Sequence, residues 1–251
     1  MIREGNKVCE TQNQRVDWSQ FKAVFFDLDD TLYDQLAPFR KALEKTKIRD
    51  LQNKKKFSLD IEAVFKRVRE HSDLLWSEHV KGEISLLDLR RERLKRAFVD
   101  FGLAIEVAEA DELQQNYIFE QNHIKPFSEA EELLKFLQSN SIPIGVITNG
   151  PIEHQKKKLF VLGIEHYIRP DWIFVSDEVG YAKPDPRIFE YVREKLDLIP
   201  AECCYIGDSW SNDIDCPIKV GWSTIWYNYR QKKPLTPVQP LKTITNFRQL
   251  I

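Results

Sequence analysis

The feature that most constrains the fold is a short apolar run, Ala23-Val24-Phe25-Phe26, that stops on Asp27, Asp29, Asp30 and Thr31. Such a run, bounded by polar turn residues, is expected to form a strand over 22–27 buried on both faces, the kind found in a parallel sheet. In open α/β sheets ligands gather just beyond the carboxyl ends of the strands. Asp27 and Asp29 would therefore stand at the mouth of the sheet. If the strand runs straight through them, the period of two places both side chains on one face. Two carboxylates held that close repel, and a cation or a shared proton would relieve the repulsion.

After Asp34 the texture changes for about ninety residues, with apolar positions at helical spacing. Helices are expected over 37–51, 58–80, 85–101 and 107–122, with Ser58 starting the second and Gly102 closing the third. From Pro126 onward strands and helices alternate. Helix 128–140, with a capping box at Ser128-Glu131, leads to strand 142–148; helix 152–162 leads to strand 172–176. Helix 186–196, capped by Asp185, leads to strand 203–207, and strand 224–227 precedes a short closing helix at 246–251. The proline-rich stretch 232–240 reads as a surface connection to a last edge segment. Alternation of this kind means a doubly wound parallel sheet with right-handed crossovers. The fold class is thus α/β, with a core from 1–33 and 125–251 and an inserted four-helix domain over 34–124. An insert at that point hangs over the ligand-binding edge, the position of a lid.

The 251 residues carry a formal net charge of −2, which argues against a nucleic-acid polymer or an anionic membrane as partner. The basic runs Lys54-Lys56 and Lys156-Lys158 are expected on solvated faces. Cys9, Cys203, Cys204 and Cys216 form no C-x-x-C pair, which disfavours a zinc site or a disulfide framework. The first eighteen residues are polar, with no apolar core of a secretory signal, and the expected compartment is the cytosol. The five histidines show no ligand spacing.

Three further strand ends carry candidate chemistry. Thr148-Asn149-Gly150 offers a hydroxyl and backbone N–H groups entering a helix, an anion nest or an ordinary turn. In Lys183-Pro184 the proline holds its predecessor out of the helical region and so directs the lysine, which suits a phosphate contact. Asp208, at the end of a strand, and Asp213, five residues on, can reach the same rim as Asp27. Each reading has a plain structural alternative as a turn, a surface lysine or a helix cap. Taken together they supply three anions for one divalent metal and donors for one phosphoryl group.

In order and spacing, Phe26-Asp27-Leu28-Asp29-Asp30-Thr31-Leu32, Thr148-Asn149-Gly150, Lys183-Pro184 and Gly207-Asp208-Ser209…Asp213 resemble the four motifs of the haloacid dehalogenase superfamily. The insert resembles the helical C1 cap of its first subclass, on a Rossmann-like core. Trp76-Ser77-Glu78, Gly82-Ser85 and Val175-Gly180 look most like the phosphatases that act on pyrimidine nucleoside monophosphates. The resemblance implies a Mg²⁺-dependent phosphatase acting on a small phosphate monoester. It makes Asp27 the nucleophile that becomes an aspartyl-phosphate and Asp29 the general acid and base. It assigns phosphate oxygens to the Thr148 hydroxyl, the Asn149 backbone and Lys183, and magnesium to Asp27, the Asp29 carbonyl, Asp208 and Asp213. Trp76 could stack a base or could belong to the core of the bundle. Asp30 stands where glycine is more usual, and Asp215-Cys216-Pro217 where a Gly-Ala pair is.

The rivals are a phosphomutase or sugar-phosphate phosphatase of the same fold, a dehalogenase, and a phospho-acceptor or interaction protein that does not turn over. The family pattern of dehalogenases lacks the second carboxylate, so Asp29 and Asp208 weigh against one.

Overall fold

The computed structural model describes residues 15–48 and 59–251. The chain divides into two compact units, Asp34–Ile124 and Met1–Tyr33 with Lys125–Ile251. The first contains four helices among its described residues: α1 (Leu36–Glu44), α2 (Ile61–Val80), α3 (Leu86–Val99) and α4 (Val107–Glu120). Their apolar stripes meet in one core through Phe39, Phe65, Val68, Leu94, Phe98, Leu113 and Tyr117. Phe39 and Phe65 lie 5.0 Å apart, and Tyr117 meets both edge-on, a geometry that suits aromatic quadrupoles. Trp76 is half-buried, outside that core, with its ring 5.2 Å from that of His79.

Ser58 and Lys54-Lys56 lie outside the described residues. The residue that starts α2 is Asp60, whose carboxylate accepts from the backbone N–H groups of Glu62 and Ala63 at 3.0 and 3.2 Å. That satisfies two donors which have no partner inside the helix.

The second unit is built on six parallel strands in the order β3-β2-β1-β4-β5-β6. They are β1 (Ala23–Phe26), β2 (Ile144–Thr148), β3 (Ile173–Val175), β4 (Cys203–Gly207), β5 (Ser223–Tyr227) and β6 (Lys242–Ile244). The chain winds outward from β1 through β2 and β3, then returns to lay β4, β5 and β6 on the other side. The winding direction reverses beside β1, and such a switch point opens a crevice at the carboxyl ends of the strands. Every residue of β1 is buried, as a strand covered on both faces requires. Ala23 and Phe25 join Phe174, Tyr205, Phe189 and Trp222 in the core on one face.

The helices of this unit are α5 (Ser128–Ser139), α6 (Ile152–Leu162), α7 (Ser176–Val179), α8 (Arg187–Lys195) and α9 (Cys216–Lys219). The capping box expected at Ser128 does not form. Phe127 is the capping position, and the Ser128 hydroxyl donates to Glu129 from inside the first turn. At α8 Pro186 takes the capping position rather than the first helical one, and Asp185, one residue earlier, accepts from the Arg187 N–H at 3.0 Å. The last edge segment is the three-residue strand β6, which starts after the prolines end at Pro240 and so keeps its ladder donors.

Candidate active site

β1 ends at Phe26, one residue before the acidic cluster. Phe26 sits opposite Val146 of β2 and Ile206 of β4, and the Asp27 N–H still donates to the Ile206 carbonyl at 2.9 Å. Beyond it the chain turns. Asp30 takes φ +62°, a left-handed conformation that aspartate tolerates better than most side chains, which explains why glycine also suits the position. Its carboxylate accepts from the Tyr229 hydroxyl at 3.0 Å and from Arg230 at 3.2 Å. Because the strand does not run straight through, the period of two does not govern Asp29. Its carboxylate meets a different set of partners from that of Asp27.

Asp27, Asp208 and Asp213 come together. Each offers a carboxylate oxygen, and the three oxygens lie within 4.8 Å of one another, all buried. Asp208 follows β4 directly, and Asp213 stands in a π-helical turn, Trp210–Asp215, that runs into α9. Single π turns of this kind concentrate at functional sites. Gly207 permits the close approach: a Cβ there would lie 2.5 Å from the Asp213 side chain. Three hard, anionic oxygens suit a divalent cation such as magnesium, so the donor set fits the metal that the motifs imply.

Lys183 stands within this cluster, its side chain only 3% exposed. Its ammonium donates to Asp27 Oδ1, Asp213 Oδ1 and the Tyr205 hydroxyl, each at 2.7 Å. An ammonium has three protons, and all three are spent on protein acceptors. Burial works against its charge, but Asp213 and Asp27 outweigh burial and hold Lys183 protonated well above the ordinary lysine range. Burial pushes the Asp27 carboxyl up to about 6, with Lys183 pulling it down and Asp213 adding to the rise. Asp213 is raised as well, by burial first. One ammonium between two buried carboxylates leaves a net negative charge, which a cation would neutralise. Burial also keeps the Tyr205 phenol protonated; it donates to the Ile147 carbonyl at 2.6 Å.

Asn149 ties the end of β2 to the loop between α7 and α8, where the structure places Lys183. Its amide nitrogen donates to the Lys183 carbonyl at 2.7 Å, and its oxygen accepts from the Lys183 N–H at 2.9 Å. Thr148 is buried, and its hydroxyl oxygen accepts from Gln155 at 2.6 Å. Asp29 is gripped from α6. Lys158 donates to both of its oxygens, at 2.7 and 2.8 Å, Gln155 to Oδ2 at 3.1 Å, and the Tyr33 hydroxyl to Oδ1.

The run Lys156-Lys158 is thus not one solvated face. Lys156 and Lys157 are exposed, but Lys158 is buried with Gln155, Leu159 and Leu162. Those four fall at i, i+3, i+4 and i+7, one stripe of a helix, and the two leucines marked it in the sequence. Lys232, which donates to Asp208 Oδ2 at 2.7 Å, had no such signal. It lies in the stretch after β5, and only the return of that stretch to the sheet edge brings it in.

Cys203, Cys204 and Cys216 are free and buried. Burial pushes the Cys203 and Cys216 thiols up to about 12, so neither offers a thiolate at neutral pH. Among the described residues no helix is long and apolar enough to cross a membrane.

Carboxylates gathered beyond two strand ends at the switch point, with a buried lysine among them, are what a class of α/β hydrolase carries. Residues 21–221 match the model of the haloacid dehalogenase-like hydrolases, and the chain belongs to that family. It is 31% identical over 207 residues, 82% of this chain and 85% of the other, to glyceraldehyde 3-phosphate phosphatase of Methanothermobacter thermautotrophicus. It is 28% identical to the pyrimidine 5′-nucleotidase YjjG of Escherichia coli, across 93% of this chain and 96% of that one. The magnesium-bound structure of the HAD-hydrolase YfnB of Bacillus subtilis superposes with a TM-score of 0.67 at 25% identity, covering 92% and 97% of the two chains. The first two relatives are a phosphatase and a nucleotidase, and the chain is a hydrolase of their family.

Proposed function

We propose that the protein is a magnesium-dependent phosphatase that hydrolyses a small phosphate monoester through an aspartyl-phosphate on Asp27. The observation that carries this reading is the separation of two carboxylates into two environments. Asp27 lies with Asp208 and Asp213, where its oxygen lies among oxygens that suit a cation. Asp29 has its own partners, Lys158, Gln155 and Tyr33. Unequal surroundings for paired carboxylates are how one site divides nucleophile from acid and base.

In the first step an Asp27 oxygen bonds to phosphorus, the ester P–O bond breaks, and Asp29 gives its proton to the departing oxygen. In the second, Asp29 takes a proton from water as that water attacks phosphorus, and Asp27 is released with inorganic phosphate. Lys183 holds Asp27 and Asp213 in place and balances their charge, and Thr148 and the Asn149 backbone receive phosphoryl oxygens. Asp27, the Asp29 carbonyl, Asp208 and Asp213 would hold magnesium, which when bound supplies positive charge next to the phosphoryl oxygens. Phosphate monoesters resist hydrolysis so strongly that this charge and the positioned donors must lower the barrier by more than about 20 kcal/mol.

A nucleoside 5′-monophosphate is the substrate class we favour, on the likeness of Trp76-Ser77-Glu78 and Val175-Gly180 to nucleotidase-type phosphatases and on the coverage of YjjG. The similarity to glyceraldehyde 3-phosphate phosphatase makes triose and sugar phosphates the second set to assay. Three buried reduced thiols suit a cytosolic setting.

The test is steady release of phosphate from p-nitrophenyl phosphate in magnesium, followed by a panel of nucleoside monophosphates and sugar phosphates. Turnover that chelation abolishes is expected. A single stoichiometric phosphorylation would favour a phospho-acceptor, and no phosphate release from any ester would discard the proposal.

A further inference from the structure

Gln155 is 1% exposed, and nothing in the two-step reaction above uses it. Its amide nitrogen reaches three acceptors at once: Thr148 Oγ1 at 2.6 Å, the Asn149 carbonyl at 2.9 Å and Asp29 Oδ2 at 3.1 Å. A backbone carbonyl can only accept, so the amide must present nitrogen to this side and not oxygen. The nitrogen has two protons for these three acceptors and cannot itself accept, so across the shortest of the three contacts the Thr148 hydroxyl is the acceptor. A hydroxyl that accepts on one side directs its own proton elsewhere, and among the described residues no protein acceptor takes the Thr148 proton. Gly150 leaves room for this arrangement. It has φ +134°, and a Cβ on it would lie 3.3 Å from Gln155 Cδ. One turn further along α6, Lys158 holds both oxygens of the same Asp29 carboxylate.

We infer that Gln155 is a positioning residue that aims the Thr148 hydroxyl proton at the phosphoryl group and locks the Thr148-Asn149 turn and Asp29 to one helix. The inference rests on the phosphatase reading. It assigns to a residue that touches Asp29 but not the phosphoryl group the task of making Thr148 a donor. An oxyanion gains from donors already directed at it, because none must turn at the moment of reaction.

The experiment is a double-mutant cycle with Gln155→Met, which keeps length and removes the amide, and Thr148→Val, which keeps shape and removes the hydroxyl. The readout is the competitive inhibition constant of inorganic phosphate, with p-nitrophenyl phosphate as reporter and magnesium present. Each single variant is expected to weaken phosphate about tenfold, the size of one hydrogen bond to a charged acceptor. The double variant should be no weaker than Thr148→Val alone, because Gln155 acts through that hydroxyl. A packing role predicts instead that Gln155→Met weakens phosphate by the same factor with and without the Thr148 hydroxyl. Additive losses in the cycle or a wild-type constant for Gln155→Met would each overturn the inference while leaving the phosphatase reading intact. Wild-type protein that releases no phosphate would instead remove the reading beneath it.

Discussion

In the helical unit the buried side chains are mostly apolar, with Phe39, Phe65 and Tyr117 packed ring against ring. At the carboxyl ends of β1, β2 and β4 the buried side chains include Asp27, Asp208, Asp213, Lys158 and Lys183. The first region gains free energy by removing hydrocarbon from water. The second pays for removing charge from water and recovers it only while every partner is present. Deletions should therefore act differently in the two places: by volume in the helices, by unpaired charge at the sheet edge. Burial of ionisable groups without a packing reason is what marks the sheet edge as the working part of the molecule.

The largest effect should come from Lys183→Met. It leaves Asp27 and Asp213 facing each other without their shared ammonium, and breaking such a buried pair costs about 3–5 kcal/mol. Urea unfolding without magnesium should show that loss, and magnesium should return part of it by binding the folded state. Unchanged stability would mean that the ion pairs are not what holds this edge. Phe65→Ala should lower stability by a similar amount, about 3–5 kcal/mol, yet magnesium should restore nothing. A magnesium-dependent rescue of this variant would blur the contrast between the two regions.

Asp27→Asn tests the charge term directly. The folded carboxyl titrates near 6, above its ordinary 3.8, so its ionised form is the one that burial disfavours. A raised folded value contributes stability below about pH 4 that is lost as pH rises through about 6. Metal-free Asp27→Asn should therefore match wild type at pH 4 and exceed it above pH 6, by up to about 3 kcal/mol. Thermal melts across that range decide it, and a difference that grows toward acid would reverse the sign. In magnesium the same variant should lose turnover by at least about 10⁴-fold. The smallest effect belongs to Asp60→Ala, which removes the cap of α2 at a cost of about 1 kcal/mol, readable in a melting curve and insensitive to magnesium.

Much of the architecture was legible because local physics repeats along the chain. Apolar runs at β1, β2 and β4 stop on polar residues, and Gly163 closes α6 at φ +67° as a helix terminator should. Where local signals compete, tertiary context prevailed. Ser128 had the spacing of a capping box, but Phe127 took the capping position. Among the candidate site residues, Asp27, Asp208 and Asp213 could be named from strand ends and motif order. Lys158 was hidden inside a basic run whose other members are exposed, although its spacing to Leu159 and Leu162 held the clue.

The sequence alone determined which strands exist, that they run parallel, and that acidic residues cluster at their carboxyl ends, because hydrophobic period and turn chemistry act over a few residues. Only the tertiary structure decided that β1 stops before Asp27, that Asp29 turns to α6, that Lys183 spends its protons on Asp27, Asp213 and Tyr205, and that Lys232 returns to Asp208. Those outcomes depend on which groups far apart in the chain must share a buried charge, and no local pattern records that.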